Sequence, residues 1–270
     1  GVAAEAVRAM SPAEADDARE VVTRGLAVVP GFDDKNFQVL GRVFEILGAL
    51  TDKAAGFSKP DGARVVSGAA QKVADVKLRG PATAALMSVT EALGPKFVVA
   101  QLHKHTATHK NPKVTAEALL FCASAVSEFG VETHDVAFNI SWCKSSLGAS
   151  NPACKSAAGK FLGAMHAGLG PALRDFLSDL KDTQMKNLDA EFARNPHEPG
   201  SKPARTVRAT EGASAATSGA SFQACSWSNR GPNCLSGQAA WTSDATTPCP
   251  PKTGFQAMNT NYGITKFMQV

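Results

Sequence analysis

Apolar residues in the first two thirds of this chain recur at the spacing of one helix face. Phe37, Leu40, Phe44 and Leu47 form one such stripe, which is typical of an amphipathic helix. No segment alternates convincingly between apolar and polar residues, so we expect no sheet. The pattern, with Gly and Pro as breaks, predicts helices at about 11–29, 36–50, 60–74, 81–93, 95–107, 112–129, 135–147, 152–170 and 171–193.

Short polar loops recur at nearly even spacing between these helices. They read KNFQV at 35–39, DVKLR at 75–79, KNPKV at 110–114 and NPACK at 151–155. Measured from Asn36, Asp75, Asn111 and Asn151, the steps are 39, 36 and 40 residues. A period near this value fits stacked helix pairs of the HEAT type, in which equivalent loops line up along one edge. We therefore predict an all-α solenoid of HEAT repeats with a single exposed ridge of loops.

Signals at the helix starts indicate that these loops are short and rigid. Ser11, Pro12 and Glu14 form a capping box at the first predicted helix. Two of the recurring loops end in Asn-Pro, at 111–112 and 151–152. Asparagine accepts hydrogen bonds from the first free amides of a helix, and proline has no amide to leave unpaired there. The helix that follows each loop therefore holds it in place.

The four loops are rich in cations. Rigid cations in a row attract an acidic protein surface, speed its binding and make that binding salt-sensitive. The alternative is an ordinary solvated edge. Phe37 fits the apolar stripe, which favours a core position, although an exposed ring there would be an anchor for a partner. The charges belong to Lys35, Lys77, Arg79, Lys110, Lys113 and Lys155.

Composition divides the chain near residue 195. Residues 1–194 form the predicted helical domain, and residues 195–270 are a Gly/Ser/Ala/Pro-rich segment that we expect to be disordered, because it cannot bury enough apolar surface. The chain carries 22 basic and 22 acidic residues through Gly200, and 6 against 2 beyond it. A neutral domain argues against nucleic acid as the partner. No apolar run approaches the roughly 18 residues of a membrane span, and the start at Gly1 suggests a piece of a longer protein.

Enzyme chemistry has little support in the sequence. Phosphate-binding, serine-hydrolase and zinc-protease motifs do not occur, so we predict no catalytic site and no cofactor. His103, His105 and His109 look at first like metal ligands, but no Cys or carboxylate lies nearby at a ligand spacing. We interpret these histidines as a solvated helix end, and we predict no metal site.

The cysteines and one tryptophan are predicted to be structural. Cys122, Cys143 and Cys154 fall in predicted helices without paired spacing, which suits reduced thiols packed as small apolar groups. Trp142 lies in a predicted helix and is interpreted as packing in the core or between repeats. The remaining cysteines, at 225, 234 and 249, show no CxxC pattern of a metal site.

Five stretches between Gly31 and Phe192 closely resemble a TOG domain of the ch-TOG and Minispindles family of microtubule polymerases. The resemblance is strongest to the third, central TOG domain of the animal array, and it covers about 160 residues without large gaps. The individual motifs are short, but their order and spacing make the match specific. The stretches read GFDDKNFQV, GFSKPDGARVVSGAAQKVADVK, HKNPKVTAEALLFCASAVSEFG, ASNPACKSAAGKFLGAM and GPALRDFL…LDAEF.

This resemblance implies a flat paddle of HEAT repeats whose intra-repeat loops bind αβ-tubulin or the microtubule lattice. It implies a parent protein with several TOG domains that adds tubulin at growing plus ends. It also implies a location in the cytoplasm, on microtubules, the spindle and the microtubule-organising centre. By position, the tubulin-facing residues would be Lys35, Asn36, Phe37, Asp75, Val76, Lys77, Arg79, Lys110, Asn111, Lys113, Asn151 and Lys155.

Two departures from the family pattern keep other interpretations open. The tightest tubulin-binding domains of the family have a tryptophan in the first loop, whereas no tryptophan occurs before Trp142 here. A full domain would also have another helix before Ser11, so we expect a truncated first repeat. The domain could instead prefer lattice tubulin over free dimers, or serve as a HEAT scaffold or spacer that docks another protein.

Overall fold

The computed structural model describes residues 2–28, 30–198, 200 and 202–208. Over these residues the chain forms helices and no strand. Short 3-10 turns occur at Gly31–Asp33, Lys72–Ala74, Val131–Thr133 and Gly170–Leu177. The α-helices are α1 (Val2–Ala9), α2 (Pro12–Leu26), α3 (Phe37–Lys53), α4 (Lys59–Ala70), α5 (Arg79–Leu93), α6 (Pro95–Thr106), α7 (Pro112–Phe129), α8 (Val136–Gly148), α9 (Pro152–Leu169) and α10 (Asp182–Arg194).

The helices form four consecutive pairs, α2 with α3, α4 with α5, α6 with α7 and α8 with α9. The second helices of the pairs make one layer, in which α3 packs on α5, α5 on α7 and α7 on α9. The first helices make the other layer, in which α2 packs on α4 and α4 on α6. Helix α1 packs on α3, and α10 covers α9. The predicted all-α solenoid of helix pairs is therefore confirmed.

A continuous apolar core runs between the two layers. Phe44, Leu86, Leu119 and Phe161 stand near the middle of the four second helices, and each is fully buried. Burying a side chain of this size contributes about 1.5–3 kcal/mol. Each repeat buries these side chains only against its neighbours, so the packing holds the helix starts of adjacent repeats side by side.

A buried carboxylate joins the first two repeats. Asp61 of α4 is 1% exposed and lies within hydrogen-bonding distance of Arg19 and Thr23 of α2, with Thr23 Oγ1 donating over 3.0 Å. Arg64 Nη1 donates to the same carboxylate over 3.0 Å, and the Ser58 cap donates as well. Burial alone would raise the pKa of Asp61, but the hydrogen bonds from Ser58 and Thr23 and the charge of Arg19 outweigh it, so this pKa is lowered.

Several of the predicted helices differ from those of the structure, and the predicted helix 60–74 ends as α4 at Ala70. Helix α1, before Ser11, was not predicted; its eight residues have no capping signal, and Ala4 and Val7 are buried as it packs on α3. Helix α2 ends at Leu26 and does not reach residue 29. The predicted helix 171–193 is split into a 3-10 segment and α10. Gly170 adopts φ 62° at the end of α9, and α10 starts after Lys181, whose amide donates to Gln184 Oε1 over 3.3 Å. The expectation that no helix precedes Ser11 was therefore wrong, whereas the truncation of the first repeat itself remains a prediction.

Part of the predicted tail is described by the structure. Residues 195–198 and 202–208 are described, and several of them hydrogen bond to helix ends. The rest of the predicted disordered tail, including Cys225, Cys234 and Cys249, lies outside the described residues. Among the described helices, none combines the length and the hydropathy that crossing a bilayer requires.

Candidate functional site

Each of the four predicted loops is the turn between the two helices of one pair. The loops precede α3, α5, α7 and α9, and they share one local structure, in which an Asn or Asp side chain accepts a hydrogen bond from the amide two residues later. Because each loop is fixed this way to the helix that it starts, its remaining side chains have defined positions. The four bonds join Asn36 Oδ1 to Gln38 N (3.0 Å), Asp75 Oδ1 to Lys77 N (2.8 Å), Asn111 Oδ1 to Lys113 N (3.0 Å) and Asn151 Oδ1 to Ala153 N (2.8 Å).

Side-chain contacts connect each loop to the next loop or to the helix that the next loop starts. Lys77 Nζ of the second loop lies 4.0 Å from the centroid of the Phe37 ring in the first. Arg79, at the end of the second loop, forms an ion pair with Glu117 of α7. Cys154 Sγ in the fourth loop donates to the carbonyl of Pro112 in the third over 3.2 Å. The four loops therefore stand in single file, and we call this row, residues 35–39, 75–79, 110–114 and 151–155, the loop edge.

Phe37 lies on the surface of the loop edge. Its side chain is 41% exposed, whereas Leu40 and Phe44 of the same helix are buried. The interpretation of Phe37 as a core residue was therefore wrong. Phe37 is the first residue of α3, where helical side chains lean toward the N-terminus, and its ring lies against Lys77 of the second loop. Contact with the Lys77 cation adds about 0.5–1 kcal/mol at an exposed site.

The cationic side chains of the loop edge differ in whether they form an ion pair within the domain. Among the described residues, Lys35, Lys110, Lys113 and Lys155 are exposed without an ion pair, whereas Arg79 is engaged with Glu117. Of the twelve residues predicted to face a partner, all are exposed except Asn151, which is half-buried. The predicted residues are thus brought together on one surface; their role in binding remains a prediction.

Two aliphatic side chains add apolar area to this surface. Val76 is 77% exposed at the tip of the second loop, and Val39 is 45% exposed in the first turn of α3. Val76 was predicted, but Val39 was missed. Its only signal in the sequence is that it falls off the stripe formed by Leu40, Phe44 and Leu47. Together with Phe37, these residues make the first half of the loop edge partly apolar.

The three histidines do not converge on a metal site. His103 packs edge-on against the rings of Phe138 and Trp142, with centroids 5.0 and 4.9 Å away, and burial lowers its pKa. The ring of His109 instead accepts a hydrogen bond at Nδ1 from the Asn111 amide, over 3.1 Å. Within the described part of the chain, no three His, Cys, Asp or Glu side chains form a group that could hold a metal ion.

The interpretation of the helical cysteines and of Trp142 as packing residues is confirmed. Cys122 and Cys143 are completely buried, and Cys154 and Trp142 are 3% and 4% exposed. Burial raises the pKa of the Cys122 and Cys143 thiols, which keeps them protonated. These side chains fill space between helices and offer no reactive group to a ligand.

A HEAT-repeat solenoid that presents its intra-repeat turns along one rigid edge has the architecture of a TOG domain. The family model of the XMAP215/Dis1/CLASP TOG domain matches residues 11–192, and the chain belongs to this family.

Known relatives agree with this assignment. The chain is similar to Protein MOR1 of Oryza sativa subsp. japonica, with 39% identity over 210 residues, which are 77% of this chain and 10% of MOR1. It is also similar to Protein mini spindles of Drosophila melanogaster, with 26% identity over 189 residues, 70% of this chain and 9% of that protein. The solved structure of Drosophila melanogaster Mini spindles TOG3 superposes with a TM-score of 0.66 at 25% identity, covering 70% of this chain and 83% of that one. The chain thus spans about 10% of the length of the curated relatives it matches.

Proposed function

We propose that this chain is a tubulin-binding domain of a microtubule-associated protein and that it binds through the loop edge. The observation that carries the proposal is the alignment of four rigid, lysine-bearing turns in one row. Membership of the TOG family supports it, as does similarity to a named TOG domain of Mini spindles. The partner is αβ-tubulin, as the free dimer or within the microtubule lattice.

Binding at this edge combines charge with an apolar contact. Lys35, Lys77, Lys110, Lys113 and Lys155 extend along the row and attract an acidic protein surface. An exposed ion pair contributes only about 0.2–1 kcal/mol, so several must act together and the affinity falls as salt rises. Phe37 supplies the apolar contact at the end of the row, where other members of the family have tryptophan.

The domain performs no chemistry of its own and requires no cofactor. It contributes binding to a longer protein that promotes microtubule polymerisation and spindle organisation, and that contains further TOG domains. This assigns the parent protein to microtubules, growing plus ends, the spindle and the microtubule-organising centre in the cytoplasm. The neutral charge of residues 1–200 supports a protein partner in preference to nucleic acid.

Reversing two central charges of the loop edge tests the proposal. In Lys77→Glu/Lys113→Glu we expect about tenfold weaker co-sedimentation with microtubules or tubulin, because two attractive contacts become repulsive. Both side chains are exposed, so helical content and melting temperature should stay unchanged. The salt dependence of binding should also become weaker.

The matched control reverses two exposed lysines away from this edge. Lys59 starts α4 at the opposite ends of the helix pairs, and Lys202 follows α10. Lys59→Glu/Lys202→Glu changes the net charge equally and should leave binding within about twofold of the unmodified chain. An equal loss of binding in both double variants would mean that net charge alone, and not the position of the lysines, controls binding. Unchanged binding in Lys77→Glu/Lys113→Glu would favour a HEAT scaffold that docks another protein.

A further inference from the structure

The segment after α10 crosses the ends of the helix pairs opposite the loop edge. There, the C-termini of α9, α7, α5 and α3 form a second row, which we call the back edge. Residues 197–208, of which 197, 198, 200 and 202–208 are described, run along this row from α9 toward α3. Composition alone assigned the segment to the tail, so these contacts were not predicted.

The segment meets the four helix ends in order. His197 Nδ1 and Glu198 N both lie within hydrogen-bonding distance of the Ala167 carbonyl in α9, at 3.0 and 3.2 Å. The Arg205 amide donates to the Glu128 carbonyl of α7 over 2.9 Å, and the Arg208 amide donates to the Glu91 carbonyl of α5 over 2.7 Å. The Arg208 guanidinium reaches α3, donating to the carbonyls of Thr51 over 2.7 Å and Asp52 over 3.1 Å.

The charge of the segment is complementary to that of the back edge. The last carbonyls of a helix have no partner within the helix and carry partial negative charge. Glu91 and Glu128 add full negative charge beside them, and Arg205 pairs with both, through Nε at 2.6 Å from Glu128 and Nη1 at 3.5 Å from Glu91. The basic segment therefore supplies donors that the back edge lacks.

Shape also fits. The glycines that end α5 and α7, Gly94 and Gly130, adopt φ 86° and 79°. Val207 lies over the first, and Pro203 over the second, at 3.8 and 3.6 Å from the position a Cβ would occupy. Arg208 is three positions after Arg205, and extended chain advances about 3.3 Å per residue. That step of roughly 10 Å matches the distance between packed helices, so successive arginines reach successive helices.

We propose that residues 197–208 are a strap bound in a groove on the back edge, and that the strap couples repeats that do not touch one another. In a solenoid each repeat contacts only its neighbours, whereas the strap bonds to α9, α7, α5 and α3 together. By tying these four helix ends, it limits changes in the curvature of the array and so holds the spacing of the loops. This last consequence rests on the proposed function of the loop edge; the strap itself does not.

Charge reversal at Arg205 tests the strap in the full chain. Arg205→Glu places an anion against Glu128 and Glu91, and we expect amide hydrogen exchange across residues 197–208 to accelerate at least about tenfold. Exchange in the last turns of α5 and α7 should rise as well. Lys202→Glu is the matched control, because Lys202 is exposed and makes no ion pair with the described residues; it should leave exchange unchanged.

Compensating reversals distinguish strap binding from general damage. Glu91→Arg/Glu128→Arg combined with Arg205→Glu restores opposite charges, and protection should return to within about threefold of the unmodified chain. Exchange that Arg205→Glu leaves unchanged would overturn the proposal, as would acceleration confined to the strap with no change at the helix ends. If the unmodified chain fails to bind tubulin, the proposed function is wrong. The exchange results still decide whether residues 197–208 form the strap, because they do not depend on tubulin.

Discussion

Replacing Asp61 by asparagine removes the charge that joins the first two repeats. The carboxylate accepts hydrogen bonds from Arg19, Thr23, Ser58 and Arg64. The side-chain amide of Asp61→Asn has only one acceptor oxygen. Its NH2 group is a hydrogen-bond donor and would face the donor groups of these four residues. Among the described residues, Arg64 then loses its counter-ion, and Arg19 keeps only Asp16, at 3.4 Å from its Nε. The hydroxyls of Thr23 and Ser58 lose an acceptor.

The size of the effect follows from burial. Removing one partner of a buried ion pair costs about 3–5 kcal/mol. Asp61 is buried, but the side chains of Arg19 and Arg64 are 21% and 28% exposed, so water can solvate part of their charge. We therefore expect the lower end, about 3 kcal/mol. For a domain of this size, that corresponds to a fall in melting temperature of roughly 6–12 °C.

Thermal and urea unfolding followed by circular dichroism measure this change. The matched control is Asp189→Asn, because Asp189 pairs with Arg174 over 2.5 Å where both side chains are about half exposed; such a pair contributes at most about 1 kcal/mol. A fall for Asp61→Asn no larger than for the control would refute the reasoning.

The pH dependence gives a second readout of the same perturbation. The pKa of Asp61 is lowered in the folded state from its ordinary 3.8. Its contribution is therefore complete above the unfolded pKa and is lost as pH falls through the folded one. The difference in stability between the unmodified chain and Asp61→Asn should narrow below pH 3.8, and a difference independent of pH would contradict a role for the charge.

Two further variants probe the fold and the loop edge separately. Gly68→Ala places a Cβ against the Phe32 ring, which itself stacks on Phe44, and should lower the free energy of unfolding in urea by about 1–3 kcal/mol. The control is Gly80→Ala, because the new Cβ there meets open space. Equal effects of the two substitutions would refute the close contact at Gly68. Phe37→Ala should leave the melting temperature nearly unchanged but weaken tubulin binding roughly two- to five-fold in fluorescence titrations, and unchanged binding would remove Phe37 from the interface.

Much of the fold was readable from periodicity and caps. The repeat of Asn36, Asp75, Asn111 and Asn151 predicted the helix pairs, and the same side chains close the turns in the structure. These features are local, since an Asn or Asp cap acts within two or three residues. The order of the loops followed from the repeat, because identical pairs stack in one direction.

Features that depend on distant contacts were missed. Helix α1 has no start signal, and its packing on α3 is what orders it. Phe37 fits the stripe of α3 in sequence, yet its place at the helix start turns it outward. For Arg205 and Arg208, the surrounding composition indicates disorder, and only the fold reveals that helix ends 114 and 157 residues away accept their hydrogen bonds.

The most direct test of the central claim is hydrogen exchange of this chain with and without αβ-tubulin. If the loop edge is the binding surface, tubulin should slow exchange at residues 35–39, 75–79, 110–114 and 151–155, and leave the back edge unchanged. Slower exchange at the back edge alone, or at none of the four loops despite saturating tubulin, would contradict the account.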